Sequence, residues 1–192
     1  MHNEKNILRS EFIIKCQKLD INQRFEYSKK LLDNIKPLLD SVNKIAIYHA
    51  YGWEISLAPI IDYCIKEQKQ LFQPVTYHKE RQMLLMPYDF TIKSIFVEPD
   101  YIPTNPMKWY NVDLIILPLV AIDKRGYRLG KGGGYYDATL GDIMNLAEKI
   151  PKLCGAGYSI QMYLGDLPKE NFDVQLDYFV SENGLEVLNR KC

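Results

Sequence analysis

The sequence lacks the features that define several protein classes. Its four cysteines, within 192 residues, form no C-x-x-C pair, which argues against a zinc site and against a disulfide framework. No stretch approaches the roughly 20 apolar residues that a membrane helix needs, and residues 1–12 lack the apolar run of a signal peptide. Because free thiols suit a reducing compartment, we expect a soluble cytoplasmic protein.

The chain also carries no net charge. Lys and Arg total 24, as do Asp and Glu, so charge favours neither nucleic acid nor a membrane as a partner. What the chain does have is an apolar fraction of 47%, in a length that suits one α/β domain and barely two. No repeat or break in composition divides it. We expect one domain over residues 1–192, as a monomer or a weak homodimer.

Hydrophobic periodicity predicts an alternation of helices and strands. Helices are expected over residues 4–18 and 22–39, from Ser56 onward, and over residues 135–150, with Asn22 and Ser56 as N-caps and Pro37 weakening the second helix. Strands are expected over residues 44–51, 71–75, 112–122, 152–158 and 177–182, with an antiparallel excursion over residues 82–88 and 93–98. This order predicts a single three-layer α/β/α domain with a mostly parallel open sheet and a helical N-terminus.

The segment "RLGKGGGYYD", which begins at Arg128, has the properties of an anion cradle. It follows "VDLIILPLVAI" (112–122), an apolar run typical of a central parallel strand that is covered on both faces. Ligands bind at the carboxyl ends of such strands, and the N-terminus of the helix that follows suits phosphate. Glycines allow close backbone approach, while Arg128 and Lys131 add positive charge.

Neither familiar nucleotide-binding motif fits this segment. Gly126 and Gly130 are separated by three residues and Lys131 is followed by glycine, so the G-x-x-x-x-G-K-[ST] pattern fails. The G-x-G-x-x-G pattern fails as well, because Tyr135 stands three positions after Gly132. A glycine-rich turn that merely lets the chain bend is the alternative. The aspartate that ends the segment either complements the helix dipole or binds magnesium beside phosphates.

A longer stretch, "LPLVAIDKRGYRLGKGGGYYDATL" (117–140), closely resembles the signature of the 5-formyltetrahydrofolate cyclo-ligase family, whose members are also called methenyltetrahydrofolate synthetases. The segments "KNILRSEF", "YHAYGWEIS" and "ENFDVQLDYFVSE" extend the resemblance over nearly the whole chain. The resemblance implies that ATP and Mg²⁺ drive the cyclisation of 5-formyltetrahydrofolate to 5,10-methenyltetrahydrofolate, with release of ADP and phosphate. In the chemistry proposed for the family, the formyl oxygen attacks the γ-phosphate and N10 then closes the ring.

The resemblance also implies roles for individual residues. Lys131 and Arg128 match the catalytic basic positions. The expected ATP contacts are Lys5, Arg9, Arg128, Gly130, Lys131, Gly132, Gly133, Gly134, Tyr135 and Tyr136. The expected folate contacts are His49, Glu54, Lys131, Gly132, Gly133, Gly134 and Tyr135. Asp137 and Asp173 match the metal positions, with Asp177 close enough to replace Asp173 in the alignment.

Some interpretations stay open on the sequence alone. Gly133 stands where some family members carry a second basic residue, and Tyr101 where members often carry glycine. Tyr101 or Trp109 could stack on the substrate, and His49 is either a folate contact or an ordinary strand residue. A sugar-phosphate isomerase or CoA-transferase-like enzyme would share a similar architecture. A nucleotide- or folate-binding protein without catalysis is the third possibility.

Overall fold

The structure, a computed structural model, describes residues 2–76, 81–92, 94–97, 105–146 and 149–188. The helices are α1 (His2–Gln17), α2 (Ile21–Asp40), α3 (Ala58–Lys66) and α4 (Tyr135–Leu146). The strands are β1 (Lys44–Ala46), β2 (Gln70–Val75), β3 (Leu84–Pro87), β4 (Leu114–Pro118), β5 (Ala121–Asp123), β6 (Arg128–Leu129), β7 (Lys152–Ala156), β8 (Met162–Tyr163), β9 (Tyr178–Ser181) and β10 (Gly184–Val187).

Seven strands form the main sheet in the order β10-β9-β7-β4-β1-β2-β3. The five central strands pair in parallel, whereas β3 and β10 pair antiparallel at the two edges. This confirms the predicted α/β class and its mostly parallel sheet. Strand β3 is the first half of the expected antiparallel excursion. The second half was predicted wrongly, because Phe96 makes a parallel bridge with Thr76.

Helices cover both faces of this sheet, as the unbroken apolar run predicted. In β4, Leu114 and Ile116 face the core cluster that includes α2 and α3. Ile115 and Leu117 point to the opposite face, into the cluster that includes α4. Since neighbouring strand residues point to opposite faces, a strand covered on both sides has no position for a polar residue.

Helix α4 begins at Tyr135, as predicted, but the N-termini of α2 and α3 differ from the predicted ones. Asp20, and not Asn22, caps α2: its side chain accepts the Gln23 N–H, and the Gln23 side chain accepts the Asp20 N–H in return. Helix α3 begins at Ala58, two residues after the expected cap, Ser56, whose hydroxyl accepts the Ala58 N–H. Pro37 lies inside α2, which continues to Asp40.

In the part of the chain that the structure describes, no helix is long and apolar enough to cross a membrane.

The apolar run 112–122 was predicted to form one strand, but it forms two, β4 and β5. After β4 the chain leaves the main sheet, and β5 joins a small second sheet in the order β6-β5-β8. The Val120 N–H donates to the Leu129 carbonyl at 2.7 Å. Leu8 and Phe12 of α1 pack against Val120 and Leu129. The N-terminal helix is therefore fixed beside the glycine segment, because that segment begins with β6.

Asp123, at the end of β5, organises the turn that leads into the glycine segment. Its fully buried carboxylate accepts the backbone N–H groups of Arg125, Tyr127 and Leu167 at 3.0, 3.1 and 3.0 Å. It also accepts two hydrogen bonds from the Arg125 guanidinium, at 2.9 and 2.6 Å. A buried carboxylate is tolerated when its lone pairs are satisfied in this way.

We expect Asp123→Asn to lower the free energy of unfolding by about 2–4 kcal/mol, because an amide cannot replace a carboxylate that accepts from several donors. Chemical denaturation measures the change. Asp166→Asn is the matched control: Asp166 pairs with the same Arg125 at 3.2 Å, but its side chain is 75% exposed, so its loss costs less than about 1 kcal/mol. Equal stabilities of the two variants would contradict this role of Asp123.

Candidate active site

A cavity of about 510 Å³ lies between several segments of the chain. Four of them carry the predicted site residues: the first turns of α1, the loop after β1, the glycine segment from β6 to the start of α4, and the loop over residues 170–173. Every residue predicted to contact ATP, folate or metal borders this cavity: Lys5, Arg9, His49, Glu54, Arg128, Gly130, Lys131, Gly132, Gly133, Gly134, Tyr135, Tyr136, Asp137 and Asp173. The positions that the resemblance picked from distant parts of the sequence are thus brought together.

The glycine segment takes a path that requires glycine at particular positions. Gly132 has φ +99° and Gly134 has φ +72°, values that side-chain-bearing residues rarely adopt. A Cβ at Gly133 would lie 2.8 Å from the ring of Tyr135, so a basic residue at this position would displace the tyrosine. The Arg9 Nε donates to the Gly130 carbonyl at 2.9 Å. Helix α1 and the glycine segment therefore form one wall of the cavity.

Three predicted basic residues each face a carboxylate in the cavity. Lys5 Nζ lies 3.1 Å from Asp173 Oδ2 and 3.4 Å from Glu170 Oε2. Arg128 Nη2 lies 2.9 Å from Asp137 Oδ1. Lys131 Nζ lies 3.0 Å from Glu54 Oε1. These contacts join the predicted phosphate-binding cations to the predicted metal- and folate-binding acids, so the site is a set of alternating charges rather than a plain basic patch.

Arg128 is the most deeply placed of these cations. Its side chain is 3% exposed, and its Nε is buried without a hydrogen-bond partner. A buried donor without an acceptor costs free energy. An anion in the cavity is a natural acceptor for the Arg128 Nε–H. The guanidinium also lies 5.7 Å from the ring centre of Tyr136. Burial raises the pKa of Tyr136, partly offset by Arg128, so this hydroxyl stays protonated at neutral pH.

The loop after β1 presents a fixed carboxylate and a fixed imidazole. Glu54 is 9% exposed, and its Oε2 accepts the Tyr51 N–H at 2.8 Å. His49 Nε2 lies 3.0 Å from Gln73 Oε1, and its ring stacks on Tyr88 at 6.0 Å. Because the same Gln73 oxygen accepts the N–H of residue 89 at 3.2 Å, His49 Nε2 is the donor in its pair.

The two predicted metal ligands, Asp137 and Asp173, both border the cavity. Within the described ranges, no group of three or more His, Cys, Asp or Glu side chains is placed to hold an ion. The alternative ligand, Asp177, accepts the Leu153 N–H at 2.8 Å and does not border the cavity. Magnesium uses few carboxylates when phosphates supply the other oxygens. Asp137 and Asp173 therefore fit a magnesium ion that arrives with a nucleotide.

The structure adds cavity residues that the sequence did not single out. Among them are four aromatic residues and an arginine: Tyr48, Tyr51, Phe96, Phe172 and Arg81. The rings of Tyr51 and Phe172 are 75% and 62% exposed. The sequence indicated them only weakly as ligand-binding residues, because aromatic residues are common throughout this chain. Trp109 is instead a core residue, 8% exposed, that donates to the Met83 carbonyl. Tyr101 lies outside the described residues.

Comparison with known proteins identifies relatives of the whole chain. The profile of the 5-formyltetrahydrofolate cyclo-ligase family matches residues 1–182. A 5-formyltetrahydrofolate cyclo-ligase of Haemophilus influenzae is 34% identical over 138 residues, which are 69% of this chain and 72% of the relative. The cyclo-ligase of Mycoplasma pneumoniae is 28% identical over 182 residues, 93% of this chain and 99% of that one.

Solved structures agree with this relationship. The 5,10-methenyltetrahydrofolate synthetase of Aquifex aeolicus superimposes with a TM-score of 0.75 at 27% identity, covering 98% of this chain and 94% of that one. The Mycoplasma pneumoniae synthetase, at 24% identity, has the same fold, with a TM-score of 0.71 over 93% of this chain and 99% of that one. The resemblance found in the glycine segment is thereby confirmed: the chain belongs to the 5-formyltetrahydrofolate cyclo-ligase family, a family of ligases.

Proposed function

We propose that this protein cyclises 5-formyltetrahydrofolate to 5,10-methenyltetrahydrofolate at the expense of ATP. One observation carries the proposal beyond family membership. The basic side chains of α1 and of the glycine segment border the same cavity as a buried carboxylate, Glu54. A polyanion and a ligand rich in N–H groups can therefore lie side by side in it, which is what a reaction between two bound ligands requires.

The ATP phosphates are proposed to lie against the glycine segment. Arg128 and Lys131 neutralise their charge, Lys5 and Arg9 approach from α1, and the N-terminus of α4 adds its unpaired N–H groups. Asp137 and Asp173 would hold Mg²⁺, which would offset part of the negative charge of the phosphates. The G-x-x-x-x-G-K-[ST] pattern is not required for this arrangement, because the glycine segment spaces its glycines and its lysine differently from that motif.

The folate is proposed to bind against the loop after β1. The Glu54 carboxylate accepts from the amino and ring N–H groups of the pterin, and its buried position makes such bonds strong. Exposed rings of Tyr51, Phe96 and Phe172 border the cavity and offer faces on which flat rings stack. His49 belongs to the same wall.

The proposed reaction has two steps. The formyl oxygen attacks the γ-phosphorus, so that an O–P bond forms while the bond from phosphorus to the bridging oxygen of ADP breaks. N10 then bonds to the formyl carbon, the carbon–oxygen bond breaks with phosphate as the leaving group, and the N10 proton is released. The protein aligns the two ligands, and Arg128 and Lys131 stabilise charge on the transferring group.

Two other functions remain distinguishable from this one. An isomerase or CoA-transferase-like enzyme would use a carboxylate near the glycine segment as base or nucleophile, without ATP. Glu54 and Asp137 are near it, yet each is paired with a cation, which favours a binding role. A binding protein without turnover would keep the same cavity, so only measured turnover separates it from the proposed enzyme.

The proposed function is tested by mixing the protein with 5-formyltetrahydrofolate and Mg-ATP and following the near-UV absorbance of methenyltetrahydrofolate. A rise that depends on ATP, and that is matched by release of ADP and phosphate, is the expected result. Two controls are run: one reaction without ATP, and one in which excess EDTA chelates the magnesium. Absence of an ATP-dependent rise would overturn the proposal.

We also infer a cytoplasmic location from the state of the cysteines. Cys16, Cys64 and Cys154 are buried free thiols, and Cys192 lies outside the described residues. Burial raises the pKa of Cys16 to about 12 and that of Cys64 to about 11, so both stay protonated and unreactive at neutral pH. Free thiols are typical of a reducing compartment.

A further inference from the structure

The contact between Lys131 and Glu54 crosses the cavity between two regions with different proposed ligands. Lys131 belongs to the glycine segment, where the phosphates of ATP are proposed to bind. Glu54 belongs to the loop after β1, the proposed folate side. Lys131 Nζ lies 3.0 Å from Glu54 Oε1, so this ion pair connects the two regions.

The two partners differ in how freely they can move. The Glu54 side chain is 5% exposed, and its second oxygen is held by the Tyr51 N–H at 2.8 Å. The Lys131 side chain is 48% exposed and lies over the rings of Tyr51 and Trp53 at 5.5 and 5.6 Å. A flexible, half-exposed cation is thus held against a fixed, buried anion.

In the other ion pairs of the cavity, the cation is buried. The Lys5 side chain is 11% exposed and faces Asp173, at 12%, and Glu170, at 39%, while the side chains of Arg128 and Asp137 are 3% and 23% exposed. Their cations are enclosed by the protein and already lie where phosphates are proposed to bind. Among these pairs, Lys131–Glu54 is therefore the one from which a ligand can draw the cation away by rotating a half-exposed side chain.

Separating this pair changes the affinity of the other region. Nucleotide phosphates compete with Glu54 for the Lys131 ammonium, because both are anions. Once Lys131 has turned to the phosphates, the buried Glu54 oxygen has lost its cation, which is unfavourable unless new donors reach it. The N–H groups of a pterin supply such donors. In the absence of nucleotide, by contrast, a folate must first displace Lys131.

We propose that the Lys131–Glu54 ion pair couples the two ligands, so that each binds more tightly when the other is present. The inference rests on the proposed function, since it assigns nucleotide and folate to the two sides of the pair. Thermodynamic linkage makes the effect reciprocal: the factor by which nucleotide raises folate affinity equals the factor by which folate raises nucleotide affinity.

The first measurement is calorimetric titration of the wild-type protein with 5-formyltetrahydrofolate, with and without a saturating β,γ-imido analogue of ATP and Mg²⁺. The analogue prevents phosphoryl transfer, so only binding is seen. We expect the folate Kd to fall about tenfold in its presence. If folate and the analogue both bind, but neither changes the affinity for the other, the coupling is overturned and the proposed function stands. A protein that binds neither ligand overturns both.

The second measurement gives the sign of the effect without folate. Glu54→Gln keeps an acceptor for the Tyr51 N–H but no longer holds Lys131 by charge, so the Kd for the nucleotide analogue is expected to fall about fivefold. In a Lys131→Met background the same substitution should give no gain. Glu11→Gln is the matched control, because it breaks a lysine–glutamate pair of 2.7 Å on exposed α1 surface. An unchanged or weaker nucleotide affinity of Glu54→Gln contradicts the coupling.

Discussion

Lys131→Ala is expected to lower kcat/KM for ATP by about a hundredfold, the effect typical of removing one group that stabilises developing charge. Lys131 stands between Gly130 and Gly132, and it is the most exposed of the three paired cations in the cavity. In the proposed reaction it can therefore follow the transferring phosphoryl group, whereas Arg128 is fixed by its burial. Steady-state kinetics with varied ATP and saturating 5-formyltetrahydrofolate measure the loss.

Two further variants show whether the Lys131 effect is specific. Lys15→Ala removes a lysine of similar exposure, 45%, that pairs with Glu11 at 2.7 Å on α1, and it should leave turnover unchanged. Lys131→Arg keeps the charge but changes the donor geometry, so its kcat/KM should lie between wild type and alanine. If Lys131→Ala keeps both its rate and its Michaelis constant for ATP, the proposed role of Lys131 is wrong.

The parts of the fold that were predictable are those encoded locally. The central strand was found because an unbroken apolar run can be buried on both faces, as Leu114 and Ile115 are. The break after Pro118 was not found, because Leu119 and Val120 are as apolar as the strand before them. An apolar sequence predicts that residues are buried, but not in which sheet. The cores of the main sheet and of the second sheet contain the same kinds of side chain.

The candidate site was predictable as a set of residues but not as an arrangement. The glycine segment is local, so its resemblance to a family was enough to locate it. The pairing of Lys131 with Glu54, or of Lys5 with Asp173, joins positions that are far apart in the chain. No periodicity encodes such a contact. It results from the path of β4 and β5, which sets the glycine segment between α1 and the loop after β1.

Asp137→Asn is expected to lower turnover about a hundredfold at a fixed magnesium concentration, and to raise the magnesium concentration that gives half-maximal rate. Its carboxylate is 23% exposed and lies in the cavity beside the buried Arg128. An amide is a weaker ligand for a hard cation than a carboxylate is, and it leaves the charge of Arg128 unbalanced. Kinetics with varied Mg²⁺ at constant ATP measure both effects.

The competing explanation for Asp137 is that it only stabilises the first turn of α4, where it offsets the helix dipole by at most about 1 kcal/mol. That role lowers the melting temperature and leaves the magnesium dependence as it was. Asp142→Asn is the matched control, since Asp142 lies on the same helix and accepts from Gln82 away from the cavity. If Asp137→Asn behaves like this control in turnover and loses only thermal stability, magnesium is held by other groups. A shift in the magnesium requirement that Asp142→Asn does not share assigns the metal to the cavity end of α4.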